Sequence, residues 1–196
     1  MPQGNGKGRA TRARLLTAAV GAFAERGYHS TTTRDIAATA GLSPAAVYVH
    51  HSTKEEMLYV IAREGHQLVL ASLREATIAA SSPTDKLQGM MRRFATHHAR
   101  HHREARVINY ELLALSAEHL DEINRLRNAI DAEFRTVVDA GLASGEFASS
   151  EPSMAVRALT SLGVDIARWY HDGGRWTPEQ VGRFYADVAL RLVGGS

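Results

Sequence analysis

Apolar residues in this 196-residue chain recur at intervals of three and four almost from end to end, and nowhere do they alternate with polar ones as a half-buried strand requires. A chain patterned this way has one class of solution, helices packed on helices. The clearest stripe is Leu120, Ile123, Leu126, Ile130, Phe134 and Val137. Punctuation between stripes divides the chain into nine predicted helices, about 10–26, 33–40, 44–50, 53–80, 84–102, 104–115, 117–143, 149–170 and 178–193, and no strand. On the first of these, Leu16, Val20 and Phe23 share a face. Thr32 with Asp35 and Thr53 with Glu56 have capping-box spacing. Ser43-Pro44 and Thr177-Pro178 each place an N-cap before a proline whose missing N–H costs nothing at the first helical position. The expected fold class is all-α, with nine helices.

Composition excludes several functions. There is no cysteine, which removes disulfides, thiolate metal sites and cysteine nucleophiles and points to a reducing cytoplasm. The polar start, Met1-Pro2-Gln3-Gly4-Asn5, does not read as a signal peptide. The longest stretch free of Asp, Glu, Lys and Arg, residues 36–53, contains Gly41, Pro44, His50 and His51 and is not a membrane span. A net charge of +2 hides an asymmetry. Residues 1–54 carry seven basic against two acidic side chains, a balance of +5, and the remainder carries 16 against 19, a balance of −3. A basic end on a mildly acidic body is the footprint of a module that meets a polyanion. The expected organisation is a flexible basic arm at 1–9, a compact basic unit at 10–54 and a larger body at 55–196.

Residues 33–50 have the spacing of a helix-turn-helix. Two short helices crossing steeply need a small residue where they touch, supplied by Ala37, and a left-handed residue in the turn, supplied by Gly41. Ile36, Ala40, Leu42 and Val47 are the apolar positions around them. Ala45, Ala46, Tyr48 and His50 project from the second helix, where short side chains allow a close approach to a major groove. Lys54 sits at the next helix start.

The segments Phe23-Ala24-Glu25-Arg26-Gly27-Tyr28, Thr32-Thr33-Arg34-Asp35-Ile36-Ala37, Ala40-Gly41-Leu42-Ser43-Pro44, Val47-Tyr48 and Thr53-Lys54-Glu55-Glu56-Met57-Leu58 resemble the tetracycline-repressor (TetR) family of bacterial regulators. The resemblance is dense over residues 10–60 and looser beyond. It implies a three-helix DNA-binding domain on a six-helix body that dimerises and holds an effector pocket, with Thr33, Arg34, Ser43, Ala45, Tyr48, His50 and Lys54 facing a pseudo-palindromic double-stranded operator. One position departs from the family pattern. Where a phenylalanine usually packs between helices, this chain has His51, whose imidazole must find a hydrogen-bond partner or face water.

In the body, Val181, Phe184, Tyr185, Val188 and Leu192 form one apolar stripe, and Leu159, Leu162, Ile166 and Trp169 form another. The resemblance makes them a four-helix homodimer interface, with Leu159, Leu162, Ile166, Val181, Phe184, Tyr185, Val188 and Leu192 at the contact. Arg168-Trp169-Tyr170, Gly173-Gly174 and Thr177-Pro178-Glu179, with Arg103-Glu104-Ala105-Arg106-Val107, resemble a TetR subgroup answering to acyl-CoA thioesters of fatty-acid and sterol catabolism. A thioester of that kind needs cations for phosphate and an aromatic for adenine, and Arg106, Arg168, Trp169 and Tyr170 are the candidates. His97, His98, His101 and His102 form two i, i+4 pairs that could ligate a transition metal. Arg92, Arg93, Arg100, Arg103 and Arg106 oppose a cation there, and the reading without metal is a polar helix end with imidazoles turned to a pocket. No GxSxG elbow, phosphate loop or carboxylate pair suggests an enzyme. The expectation is a cytoplasmic, homodimeric DNA-binding repressor released by a small-molecule effector, with no cofactor. The alternative is a metal-sensing regulator.

Overall fold

The computed structural model describes residues 4–51 and 53–194, with side chains described from residue 8 onward. Nine α-helices form, with no strand among the described residues: α1 (Gly4–Arg26), α2 (Thr33–Thr39), α3 (Pro44–His50), α4 (Lys54–Ile78), α5 (Pro83–Arg100), α6 (His102–Tyr110), α7 (Ala117–Ser144), α8 (Pro152–Trp169) and α9 (Pro178–Leu192). A 3-10 turn at Leu112–Ala114 splits off the end of the helix expected over 104–115.

The first helix corrects the sequence reading twice. It starts at Gly4, so residues 4–9 of the expected flexible arm are helical, while residues 1–3 lie outside the described residues. Once residues 10–26 are helical, each preceding residue adds one hydrogen bond without a new nucleation cost. The buried face of α1 is centred on Leu15, Ala19, Ala22 and Phe23, and Leu16 and Val20 flank it half-buried.

Caps appear where the sequence places them. The Thr32 hydroxyl accepts from the Asp35 N–H and the Asp35 carboxylate accepts from the Thr32 N–H at 2.8 Å. Thr177 and Gln180 repeat the arrangement at α9. Ser43, Thr53 and Ser82 cap α3, α4 and α5.

Two large cores result. One joins α1, α2 and α3 to the first turns of α4 and to α6 and the start of α7, around Phe23, Ile36, Val47, Met57, Leu58 and Ile123. The other lies among α4, α5, α7, α8 and α9, around Leu73, Leu87, Met90, Met91, Phe134 and Leu159. Each such side chain contributes roughly 1.5–3 kcal/mol on burial. Close helix approaches are bought with glycine: a Cβ at Gly163 would lie 2.3 Å from the Phe94 ring, and one at Gly182 would lie 2.0 Å from Thr96 Oγ1. Among the described residues, no helix is long and apolar enough to cross a membrane.

Candidate functional site

At the N-terminal end, α2 and α3 form the expected helix-turn-helix. Gly41 occupies the turn at φ +64°, a left-handed conformation that a side chain would strain. The Arg14 guanidinium of α1 reaches over to donate to the Ala40 carbonyl beside it, closing the turn against α1. Val47 points wholly inward, so the opposite face of α3 is presented outward: Ala45 is exposed, Tyr48 is 61% exposed and Val49 is 78% exposed. His50 and Thr33 are half-buried at the edges of that face, and Arg34 is exposed on α2. The Ser43 hydroxyl accepts from the Ala46 N–H at 3.3 Å, which leaves its own proton free to donate outward. Val49 lies outside the set expected from the sequence, although its i, i+4 relation to Ala45 places it on the same face.

Lys54 is used differently from the others. Its ammonium donates to the carbonyls of Tyr28 at 2.8 Å, Thr31 at 2.9 Å and His29 at 3.3 Å, and it lies 4.3 Å from the centroid of the Tyr28 ring. Three donors meet three acceptors, so the α1–α2 loop is tied to the start of α4. Replacing this cation, as in Lys54→Met, is expected to lower unfolding free energy by about 1–2 kcal/mol, since hydrogen bonds from a charged donor are the stronger kind. Urea midpoints of the two proteins measure it, and coincident curves would remove the structural role.

Tyr28 is gripped from its other side too, because its N–H donates to Glu111 Oε1 at 3.3 Å, immediately after α6. His51, the departure from the family pattern, closes α3 with its side chain wholly buried. Neither ring nitrogen has a hydrogen-bond partner among the described residues, and the Glu56 carboxylate lies with Oε1 at 3.8 Å from Nδ1. Burial pushes this imidazole below the usual histidine range.

In the body, α4, α5, α6, α7 and α8 enclose a cavity of about 1060 Å³. His66 from α4, His97 and His98 from α5, Asn109 from α6 and Thr160 from α8 supply polar groups to a wall that also includes Val69, Phe94 and Ile108. Arg127 and Asn128 from α7 and Arg157 from α8 are exposed side chains of the same lining, and Arg157 pairs with Asp131 at 3.2 Å. Desolvation by burial pushes His97 down to about 3 and His98 down to about 4, and it also lowers His66. These rings are neutral at physiological pH. Two of the histidine run thus face the cavity, and His97 stacks near His101 with ring centroids 4.8 Å apart. Among the described residues, no group of three or more His, Asp and Glu could hold a metal ion, so nothing in the geometry favours the metal-sensing alternative.

The residues expected to hold an effector are not brought to this cavity. Arg106 donates to the carbonyls of Ala167 and Arg168 at 3.3 and 3.2 Å, Arg168 pairs with Asp165 at 2.7 Å, and Tyr170 is buried among Ala95, Ala99, Ile166 and Val181. Trp169 meets Tyr170 and Trp176 edge-on. The reason is helical phase and length. Cavity positions on α8 end at Asp165, and residues 168–170 fall a turn further on.

The dimer stripes also divide. Leu159, Ile166 and Val181 are buried in the chain's own core and are unavailable to a partner, a correction to the expected interface. Phe184 remains 63% exposed and Leu162 37% exposed, with Tyr185, Val188 and Leu192 half-buried. Each apolar stripe is wider than one contact needs, so its inner half packs against α5 and its outer half is left facing out.

Comparison with known proteins accords with this arrangement. Residues 15–60 match the family described as bacterial regulatory proteins, tetR family, and residues 80–193 match the tetracyclin repressor-like C-terminal domain. The chain is 30% identical over 183 residues to the HTH-type transcriptional repressor KstR2 of Mycolicibacterium smegmatis, covering 91% of this chain and 88% of that one. A bacterial regulatory protein in the tetR family from Rhodococcus RHA1 superposes with a TM-score of 0.90 at 39% identity, over 95% of this chain and 98% of the other. AibR, in complex with isovaleryl coenzyme A and operator DNA, has the same fold, with a TM-score of 0.83 at 21% identity over 95% and 100% of the two chains.

Proposed function

Because the chain belongs to the tetR family of bacterial regulatory proteins, whose members are transcription regulators and not enzymes, we propose that it is a cytoplasmic, homodimeric repressor released from its operator by an acyl-CoA thioester. One observation carries the regulatory part. Tyr28, in the loop that precedes the helix-turn-helix, is held on its carbonyl side by Lys54 of α4 and on its N–H side by Glu111 just after α6. Both helices also line the cavity, α4 through Gly65, His66 and Val69 and α6 through Ala105, Ile108 and Asn109. From His66 to Lys54 is one uninterrupted run of α4, about 18 Å of rigid helix. A ligand that displaces the cavity wall therefore moves both grips on the reading unit together. An effector with higher affinity for one setting of α4 and α6 biases the DNA-binding geometry by that difference in affinity and by no more.

In the DNA-bound state, two copies set α3 into successive major grooves of a pseudo-palindrome. Tyr48, Val49 and Ala45 meet base edges, while Thr33, Arg34, Ser43 and His50 position the backbone. Lys54 acts through Tyr28 and holds the reading unit in place. The outer stripe of Phe184, Leu162, Tyr185, Val188 and Leu192 joins the two copies. For the effector, the cavity is large enough for an acyl group with part of its carrier. Arg127 and Arg157 offer cations to phosphate, and the coenzyme A thioester in AibR's complex makes this ligand class the first to test.

The test is a mobility-shift assay with the DNA flanking the protein's own gene, followed by titration of acyl-CoA thioesters. A shifted band released by a thioester supports the whole reading. A band indifferent to thioesters removes that effector class, and no band at low salt removes the DNA-binding role. Tyr48→Ala is expected to weaken operator binding at least tenfold with helix content unchanged, because it removes the largest exposed side chain of the reading face. Unchanged affinity, by fluorescence anisotropy at fixed salt, would show that another face reads the DNA.

A further inference from the structure

Four polar side chains on the cavity wall share one habit, each bonding back to the carbonyl one turn earlier in its own helix. His66 Nδ1 lies 2.7 Å from the Ala62 carbonyl oxygen and His98 Nδ1 lies 2.9 Å from that of Phe94. Thr160 Oγ1 lies 3.2 Å from the Val156 carbonyl, and Asn109 Nδ2 lies 2.7 Å from the Ala105 carbonyl. A carbonyl oxygen only accepts, so in every one of these contacts the side chain supplies the proton. That settles the histidine tautomers. Burial keeps both rings neutral, so each has a single N–H, at Nδ1, and Nε2 carries only a lone pair. Thr160 has one hydroxyl proton, and it is committed to its own helix, with the Arg157 carbonyl 3.3 Å away sharing it. Asn109 keeps its Oδ1 acceptor and one N–H.

The inner wall, built from α4, α5, α6 and α8, therefore offers more free acceptors than donors, with Nε2 of His66 and His98, Thr160 Oγ1 and Asn109 Oδ1 set against one N–H on Asn109 and one on the neutral His97 ring. The other groups with spare N–H capacity, Asn124, Arg127, Asn128 and Arg157, are exposed on α7 and α8. We infer that the cavity takes an apolar molecule whose buried part carries hydrogen-bond donors, hydroxyl or N–H, with any carbonyl or anionic part turned outward. This rests on the effector reading above and narrows it. A ketone or carboxylate oxygen set against Nε2 of His66 or His98 would oppose lone pair to lone pair after losing its water, whereas a hydroxyl satisfies both sides.

Two measurements on the protein test it. Long-range proton–nitrogen NMR with labelled histidine reads the tautomers directly, and His66 and His98 are expected in the Nδ1–H form at pH 7. Calorimetric titration then compares 2-naphthol with 2-methoxynaphthalene, which keeps the ring and the oxygen but loses the proton. The naphthol is expected to bind at least tenfold more tightly and to shift both Nε2 resonances, with that preference falling below twofold in His98→Phe. The NMR readout needs no variant, so a misfolded His98→Phe leaves the test intact. An Nε2–H tautomer at both rings, equal affinity for the two naphthalenes, or no binding of either at the limit of solubility each overturns the inference. Operator release is scored separately. Thioesters that dissociate the DNA complex while the naphthalenes bind equally leave the effector reading standing and remove this one. A tenfold naphthol preference, with no compound disturbing the DNA complex, does the reverse.

Discussion

Taking the protein from pH 7.5 to pH 5 is expected to lower its unfolding free energy by about 2–4 kcal/mol, well above the range where most carboxylates titrate. The cause is the set of imidazoles that burial keeps neutral. His97 and His98 are pushed down to about 3 and about 4, and His51 and His66 are also lowered. In the unfolded chain these rings titrate near the ordinary value of about 6.5. Between roughly pH 6.5 and the folded values, the unfolded state binds more protons than the folded one. Stability is therefore full above 6.5 and is lost as the pH falls below it. Urea midpoints at pH 7.5, 6.5, 5.5 and 5 measure the slope, and a flat profile over that interval would show that the rings are not held neutral. His51→Phe separates the contribution of the N-terminal three-helix unit. It replaces an imidazole without hydrogen-bond partners among the described residues by an apolar ring. It is expected to raise stability by about 1–2 kcal/mol at pH 7.5, and by more at pH 5.

Gly182→Ala is expected to destabilise the protein by about 2–3 kcal/mol, although alanine is the better helix former. The added Cβ would lie 2.0 Å from Thr96 Oγ1, which can rotate, and 2.8 Å from the Arg92 carbonyl oxygen, which cannot. The α5 and α9 backbones would have to separate, loosening the packing of Ala186, Ala189 and Leu190 on the core. The same exchange at Gly21 of α1, where nothing lies within 4 Å of the new atom, is expected to stabilise by about 0.5–1 kcal/mol. Opposite signs from one chemical change isolate packing from helix propensity. Thermal melts of both variants decide it, and a Gly182→Ala protein as stable as the parent would mean that α9 has room to move outward.

How far the residues could be read in advance depended on whether the signal was local. Helix starts at Thr32, Ser43, Thr53 and Thr177 were legible because a cap is a contact within four residues. The turn at Gly41 was legible for the same reason. Lys54 was not, because a lysine at a helix start facing phosphate and one closing a loop 25 residues away have the same local sequence. The dimer stripes misled at Leu159, Ile166 and Val181, since periodicity shows that a face is apolar without saying which neighbour covers it. Arg106, Arg168, Trp169 and Tyr170 have the chemistry that a thioester ligand needs, but the cavity is placed by packing among five helices. The acceptor wall depends on which way each polar side chain rotates about its own helix, and no spacing rule encodes that.

The core around Phe23 and Ile36 runs without interruption into Met57, Leu58 and Ile61 of α4 and on to Val107, Ile108 and Ile123. The border expected at residue 54 is a change of charge, with no seam in the hydrophobic packing. Under the proposed function, operator specificity is consequently not a cassette. A graft that exchanges residues 10–54 for those of another regulator sets foreign side chains against Met57, Leu58 and Val107, so transferring a reading head means transferring its half of this core, and swapping only the outward face of α3, at Ala45, Tyr48 and Val49, leaves that core whole.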